Sequence, residues 1–183
     1  MAQDKTSQIS SGGALPYLIG FVGALLVGWW LFPQLLYSEV PQPINFSHPV
    51  HLDQGMDCSE CHYLRDDGSF HAIPSTEDCA MCHMMPMGTT ESEEIFVSEY
   101  VEKEKEVPWL IYQYQPDNVF FSHAAHQDYP CFECHPEVET MDKLPPVKIN
   151  RISGYSEQTM KMWKCERCHA ERGQSNACYV CHK

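Results

Sequence analysis

Hydrophobic positions are distributed along this chain in two unlike ways. From Leu15 to Phe32, eighteen apolar or small residues follow one another as LPYLIGFVGALLVGWWLF, and no charge occurs between Lys5 and Glu39. Extended to Tyr37, this run is long enough as a helix to cross a hydrocarbon layer of about 30 Å at about 1.5 Å per residue. Tyr17 lies near one end, and Trp29, Trp30, Phe32 and Tyr37 lie near the other. Such aromatic belts suit a helix that spans and stays. A cleaved signal peptide is the competing reading, but the run is longer than a usual signal core and no small-x-small cleavage site follows it. The pattern predicts a cytoplasmic N-terminus at 1–14 and a transmembrane anchor at 15–37. Gly20, Ala24 and Gly28 are spaced four apart in it, a small-residue face that lets another membrane helix approach.

Beyond residue 38 the apolar positions scatter. Pro41, Pro43, Pro145 and Pro146 mark extended or turning segments. The pattern predicts mostly irregular chain with short α-helices, one longer helix near the end, and many loops. Within 91–106, Ile95, Phe96, Tyr100 and Val101 mark one face of a short helix. Apolar residues make up 43% of the chain, but that share includes ten Cys and the N-terminal run. The remaining length is too short and too polar to bury much apolar surface of its own.

The cysteines say what replaces that core. All ten fall into CxxCH, five times over: Cys58/Cys61/His62, Cys79/Cys82/His83, Cys131/Cys134/His135, Cys165/Cys168/His169 and Cys178/Cys181/His182. This spacing is that of c-type haem attachment. Two thiols form thioethers to the porphyrin, and the adjacent imidazole becomes the proximal iron ligand. Zinc ribbons and disulfide frameworks use paired cysteines but do not require His after each second one. Five covalently attached haem c groups are expected; a sixth, non-covalent haem has no support in the sequence. Haem is attached outside the cytoplasmic membrane, so 38–183 is expected to face the periplasm from a single-pass inner-membrane anchor. The porphyrins then form the core, and the apo-chain is expected to fold poorly.

Five histidines remain: His48, His51, His71, His123 and His126. Their number equals the number of sixth ligands that five bis-histidine haems need. Four of them form a repeat, Phe46-Ser-His48-Pro-Val-His51 and Phe121-Ser-His123-Ala-Ala-His126, each shortly before a CxxCH. At i and i+3 of a helical turn two imidazoles share a side and can reach neighbouring irons. His71 stands alone and is either a ligand or a propionate partner. Met is the rival sixth ligand, with Met162, Met81, Met84, Met85 and Met87 beside the motifs. Most such Met residues serve as haem packing.

Two halves emerge, 44–83 with two motifs and 119–183 with three, each opening on FSHxxH. They are joined by 84–118, whose stretch 91–106 holds seven Glu and two Lys. The linker is either a solvated segment or an acidic docking surface. The formal charge of −13 argues against nucleic acid and favours a basic redox partner, steered in a salt-dependent way. Closely packed bis-histidine haems pass electrons without binding substrate at iron. No catalytic residue and no substrate site of the chain's own are expected.

The FSHxxH-to-CxxCH spacing resembles class III multihaem cytochromes c. Ala72-Ile-Pro-Ser, Pro116-Asp-Asn-Val-Phe-Phe-Ser-His, Val138-Glu-Thr-Met-Asp and Met162-Trp-Lys-Cys, with the single anchor, resemble the multihaem subunits of the periplasmic quinone reductase complex (Qrc) and of alternative complex III. The resemblance covers most of 15–183. It implies a class III-like haem domain on one transmembrane helix. It also implies partners: an integral membrane quinone-binding subunit, an iron–sulfur subunit and a molybdopterin-enzyme-like subunit. A basic periplasmic multihaem cytochrome c would exchange electrons with it. Menaquinone reduction of the Qrc type is favoured by the acidic domain. The alternatives are a quinol-oxidising subunit of alternative complex III, a NapC/NrfH-like quinol dehydrogenase, and a multihaem enzyme with an open iron. The resemblance also implies that the first His of each pair serves the next motif and the second another haem.

Overall fold

A computed structural model describes residues 13–135 and 138–183. The expected cytoplasmic segment 1–14 falls outside them except for its last two residues. Helix α1 (Ala14–Leu26), a π turn (Val27–Leu31) and α2 (Phe32–Leu36) run on as one apolar helix of 23 residues that touches almost nothing else in the chain. The π turn has a local cause. Pro33 has no N–H to give to the carbonyl four residues back, so the helix widens just before it, and Phe32 N–H bonds Val27 instead.

The helix ends at Leu36, and the chain enters strand β1 (Tyr37–Val40). β1 pairs antiparallel with β2 (Val147–Asn150), from Tyr37 opposite Asn150 to Val40 opposite Val147. Pro41 and Pro146, which cannot donate to a ladder, close the same end of this two-stranded ribbon. Arg151 N–H bonds the Leu36 carbonyl at 2.8 Å, so the ribbon fastens the apolar helix to the second half of the chain. This pairing could not be read from two four-residue strands over a hundred positions apart.

The rest is short helices and loops, as the pattern predicts: α3 (His48–Asp53), α4 (Cys58–Cys61), α5 (Thr76–Ala80), α6 (Glu91–Phe96), α7 (Cys131–Cys134), α8 (Met162–Glu171) and α9 (Cys178–Cys181). Among them α8 is the longest, near the end of the chain. α6 continues into a π turn, Val97–Val101. That wider turn shifts the apolar face. Phe96 and Val97 are buried against Val107, with Tyr100 and Val101 alongside, whereas Ile95 is left 38% exposed. Ile95 therefore does not share the face expected of it. The linker end folds back onto α5: Thr76 N–H bonds Glu106 at 2.9 Å, and Val107 N–H bonds the Thr76 hydroxyl at 3.1 Å.

Little else is buried. The buried apolar side chains among the described residues are Ala72, Phe96, Val97, Val107 and Val147, and none is fully enclosed. The surface is 14131 Å², against about 9,000 Å² for a compact protein of this mass. The almost wholly exposed apolar helix accounts for part of the excess.

The halves are joined by crossed contacts. His123 N–H and Ala124 N–H bond the carbonyls of Ser69 and Gly68 at 2.8 and 3.1 Å, and Ser122 Oγ also donates to Gly68. In return, His48 N–H bonds the Met141 carbonyl at 3.2 Å. Gly68 is required here: its φ is +68°, and a Cβ would lie 3.1 Å from that of Ala124.

Candidate haem centres

Four of the five motifs share one local geometry. In each, the motif His closes a helical turn by giving its backbone N–H to the first Cys carbonyl, at 2.8 Å for His62, 3.0 Å for His83, 2.9 Å for His135 and 2.9 Å for His182. The fourth motif lies inside α8. One turn thus carries two thiols and an imidazole. All ten cysteines are free and at least partly exposed. Among the described residues no three His, Cys, Asp or Glu side chains converge as a ready metal cage.

Neighbouring motifs are close. Burial pushes Cys79 up to about 11, and Cys61 adds to the shift. Burial raises Cys58, helped by Cys131, whose thiol is within hydrogen-bond reach. Cys134 is raised by burial and then by Cys168; Cys165 is raised by burial and then by Cys181. The motifs therefore adjoin in the order second, first, third, fourth, fifth.

The histidine pairs are near-copies of each other. His51 Nδ1 lies 2.8 Å from the Ser47 carbonyl, and His126 Nδ1 lies 2.8 Å from that of Ser122. Phe46 stacks on His51 at 4.4 Å and 21°, and Phe121 on His126 at 4.8 Å and 26°; both phenyl rings meet the first His of their pair edge-on. An Nδ1–H given to a carbonyl leaves Nε2 as a bare acceptor aimed outward, the tautomer a metal ligand needs. The repeated Phe was visible in the sequence; its stacking role was not.

Two ring pairs carry the most information. His51 faces His83 with centroids 6.1 Å apart, and His126 faces His169 at 6.3 Å and only 11° between planes. Two imidazoles on opposite sides of one metal, each bonded at about 2 Å, have centroids separated by roughly 6 Å. The residues present thus fit a bis-histidine iron. Burial pushes His48 down to about 4, with His62 and then His51 adding to it, and His48 Nδ1 is buried without a partner. Burial also lowers His135, and His123 is the next largest contributor. His71 gives Nδ1 to the His62 carbonyl and meets His123 edge-on at 4.9 Å, too close for the two to flank one iron. His182 donates to the Asn118 carbonyl at 3.1 Å, and among the described residues no ring contact brings it an imidazole. The methionines Met81, Met84, Met85, Met87 and Met162 are exposed beside their motifs.

One residue escaped the sequence reading. Glu93 accepts the Nδ1–H of His83 at 2.7 Å. The Met87 N–H, and after it the Gly88 N–H and His83, hold the Glu93 carboxyl below the usual carboxylate range. Ten residues from its histidine, in a run of seven Glu, it gave no sequence signal.

No family model matches the chain. A curated protein of Nitratidesulfovibrio vulgaris, described as "Menaquinone reductase, multiheme cytochrome c subunit", is 53% identical over 191 aligned positions, covering 94% of this chain and 91% of that protein. This chain belongs to that family. Membership in the multihaem cytochrome c subunits accords with the paired cysteines, the mostly helical and irregular fold, and the scarcity of buried side chains around the motifs.

Proposed function

We propose that this chain is the membrane-anchored electron-transfer subunit of a menaquinone-reducing complex, taking electrons from a soluble periplasmic cytochrome c and delivering them to quinone-reactive partners in the membrane. The observation that carries this is 53% identity along nearly the whole length of a menaquinone reductase multihaem subunit. The paired imidazoles support it, because a metal held on both axes has no position left for substrate.

The proposal has five haem c groups held by Cys58/Cys61, Cys79/Cys82, Cys131/Cys134, Cys165/Cys168 and Cys178/Cys181, with His62, His83, His135, His169 and His182 as proximal ligands. When bound, these groups supply reversible one-electron redox chemistry. The polypeptide orients imidazoles, excludes water and sets charge. Its distal ligands follow one rule in both halves. The first His of each pair serves the first motif of its half, His48 with His62 and His123 with His135. The second serves the second motif, His51 with His83 and His126 with His169. His71, beside His123 and the His62 carbonyl, is assigned no iron by this rule and is either a ligand or a propionate partner. The class III-like arrangement, the boundaries at 15–37, 44–83, 84–118 and 119–183, and the periplasmic orientation belong to the same proposal.

Charge gives the relay a direction in space. Residues 39–118 carry sixteen acidic and three basic side chains, the whole excess of −13, whereas 119–183 carry eight of each. A basic periplasmic multihaem cytochrome c docks at the second-motif end under this field. The neutral half, tied to the anchor through β1 and β2, faces the quinone-binding, iron–sulfur and molybdopterin-enzyme-like subunits. Purification of the anchored chain with its partners tests this. Five haems per chain by pyridine haemochrome, only low-spin EPR signals, and menaquinone reduction by the assembled complex are expected. Quinone reduction by the isolated subunit, or a high-spin iron, would overturn the reading.

A further inference from the structure

Among the described residues, six histidines direct Nδ1 to main-chain carbonyls: His51, His62, His71, His123, His126 and His182. His83 differs. Its Nδ1 lies 2.7 Å from Oε1 of Glu93. The same carboxylate receives Met87 N–H at 2.8 Å and Gly88 N–H at 2.8 Å. Its side chain is 13% exposed, that of His83 27%. Three donors on one carboxylate favour its ionised form. Gly88 makes room for it: a Cβ there would lie 3.0 Å from Oε2. The contact is built from two sides, the turn after the second CxxCH and the first turn of α6, where Thr90 caps the Glu93 N–H at 3.3 Å.

We infer that Glu93 is a positioning residue that holds His83 as the most anionic imidazole of the set and keeps the haem attached at Cys79 and Cys82 at the lowest potential of the five. This rests on the function proposed above. A carboxylate that accepts the outer N–H of a ligating imidazole fixes its tautomer and orientation and raises its basicity. A more basic imidazole stabilises Fe(III) over Fe(II). A neutral carbonyl does so less. The fixed negative charge adds in the same direction. The second motif also lies at one end of the row of adjoining motifs, in the acidic half, so Glu93 sets the driving force at the point where the soluble partner docks.

The test uses the assembled membrane complex and a potentiometric titration followed by optical and EPR spectra. In Glu93→Gln, with haem content unchanged, one midpoint should rise by about a tenfold change in its reduction equilibrium, 59 mV for one electron. One low-spin signal should gain g anisotropy while the others stay. Glu93→Asp, which keeps the carboxylate, should recover part of the shift. Gly88→Ala keeps every charge but presses on the carboxylate, and should move the same haem in the same direction by less. This third variant keeps the inference testable where Glu93→Gln fails to load haem. A role limited to fixing the 83–93 loop predicts lost thermal stability with five unmoved midpoints. That result, or an equal shift of all five, overturns the inference and leaves the proposed function standing. A wild-type protein without haem at Cys79 and Cys82 overturns the function itself.

Discussion

The two halves of the haem domain carry the same ligand device in opposite surroundings. At 44–83 and at 119–183, Phe stacks on the second His of FSHxxH, that His bonds the carbonyl four residues back, and its ring faces the second motif of its half across about 6 Å. Around these copies almost everything else differs. The first half and its linker hold the entire net charge, enclose the small cluster of Phe96, Val97 and Val107, and place a carboxylate on His83. The second half is electrically neutral, holds a third motif, and is fastened to the apolar N-terminal helix by a strand. The two pairs keep one ring separation, 6.1 and 6.3 Å, while the angle between their rings differs, 52° against 11°. Charge and outer-sphere contacts can vary, and it is these that distinguish one haem from another.

The comparison breaks most sharply where a motif is removed. Replacing Cys131 and Cys134 with Ser is expected to cut haemochrome absorbance by one fifth and to leave the crossed junction unfolded, read by protease susceptibility. The same change at Cys178 and Cys181, at the end of the row, should lose an equal share of haem with the junction intact. A smaller effect is expected from His51→Ala and His126→Ala. Each should turn one low-spin EPR signal high-spin without loss of haem, and the two spectra should differ, because the imidazole left behind is carboxylate-bonded in His83 but, among the described residues, not in His169.

Charge sharpens the contrast further. Reversing Glu91, Glu94, Glu102 and Glu104 to Lys should slow reduction by a basic cytochrome by roughly tenfold at low salt, with little difference at high salt. Changing Glu157, Glu166 and Glu171 should alter it far less. Gly68→Ala tests the seam between halves. A Cβ at φ +68° beside Ala124 should cost about 1–2 kcal/mol, seen as a lower melting temperature of the haem-loaded protein. Least of all, Lys148→Ala should cost under about 1 kcal/mol, since its pairs with Glu39 and Glu157 are long, at 3.6 Å each, and exposed.

Much of the site was legible in the chain because its chemistry is local. The CxxCH turn is closed by one hydrogen bond within five residues, and FSHxxH sets two imidazoles on one turn. Spacing alone carries both. The long apolar helix was equally plain, since eighteen apolar or small residues follow one another there, although its π turn before Pro33 needed the backbone. The Ile95 face was misjudged because a π turn breaks the 3.6-residue period on which the expectation rested.

What the sequence determined by itself is therefore the inventory: a long apolar helix, five CxxCH turns, two histidine pairs and an excess of acid. Only the tertiary structure decided who faces whom. His51 lies 32 residues from His83 and His126 lies 43 from His169, and Glu93 reaches His83 across a loop. Strand β1 finds its partner over a hundred residues further along the chain. A covalent turn is specified by neighbours in the chain, but a ligand pair, a tuning carboxylate or a strand ladder is closed through space, by packing that no short spacing encodes.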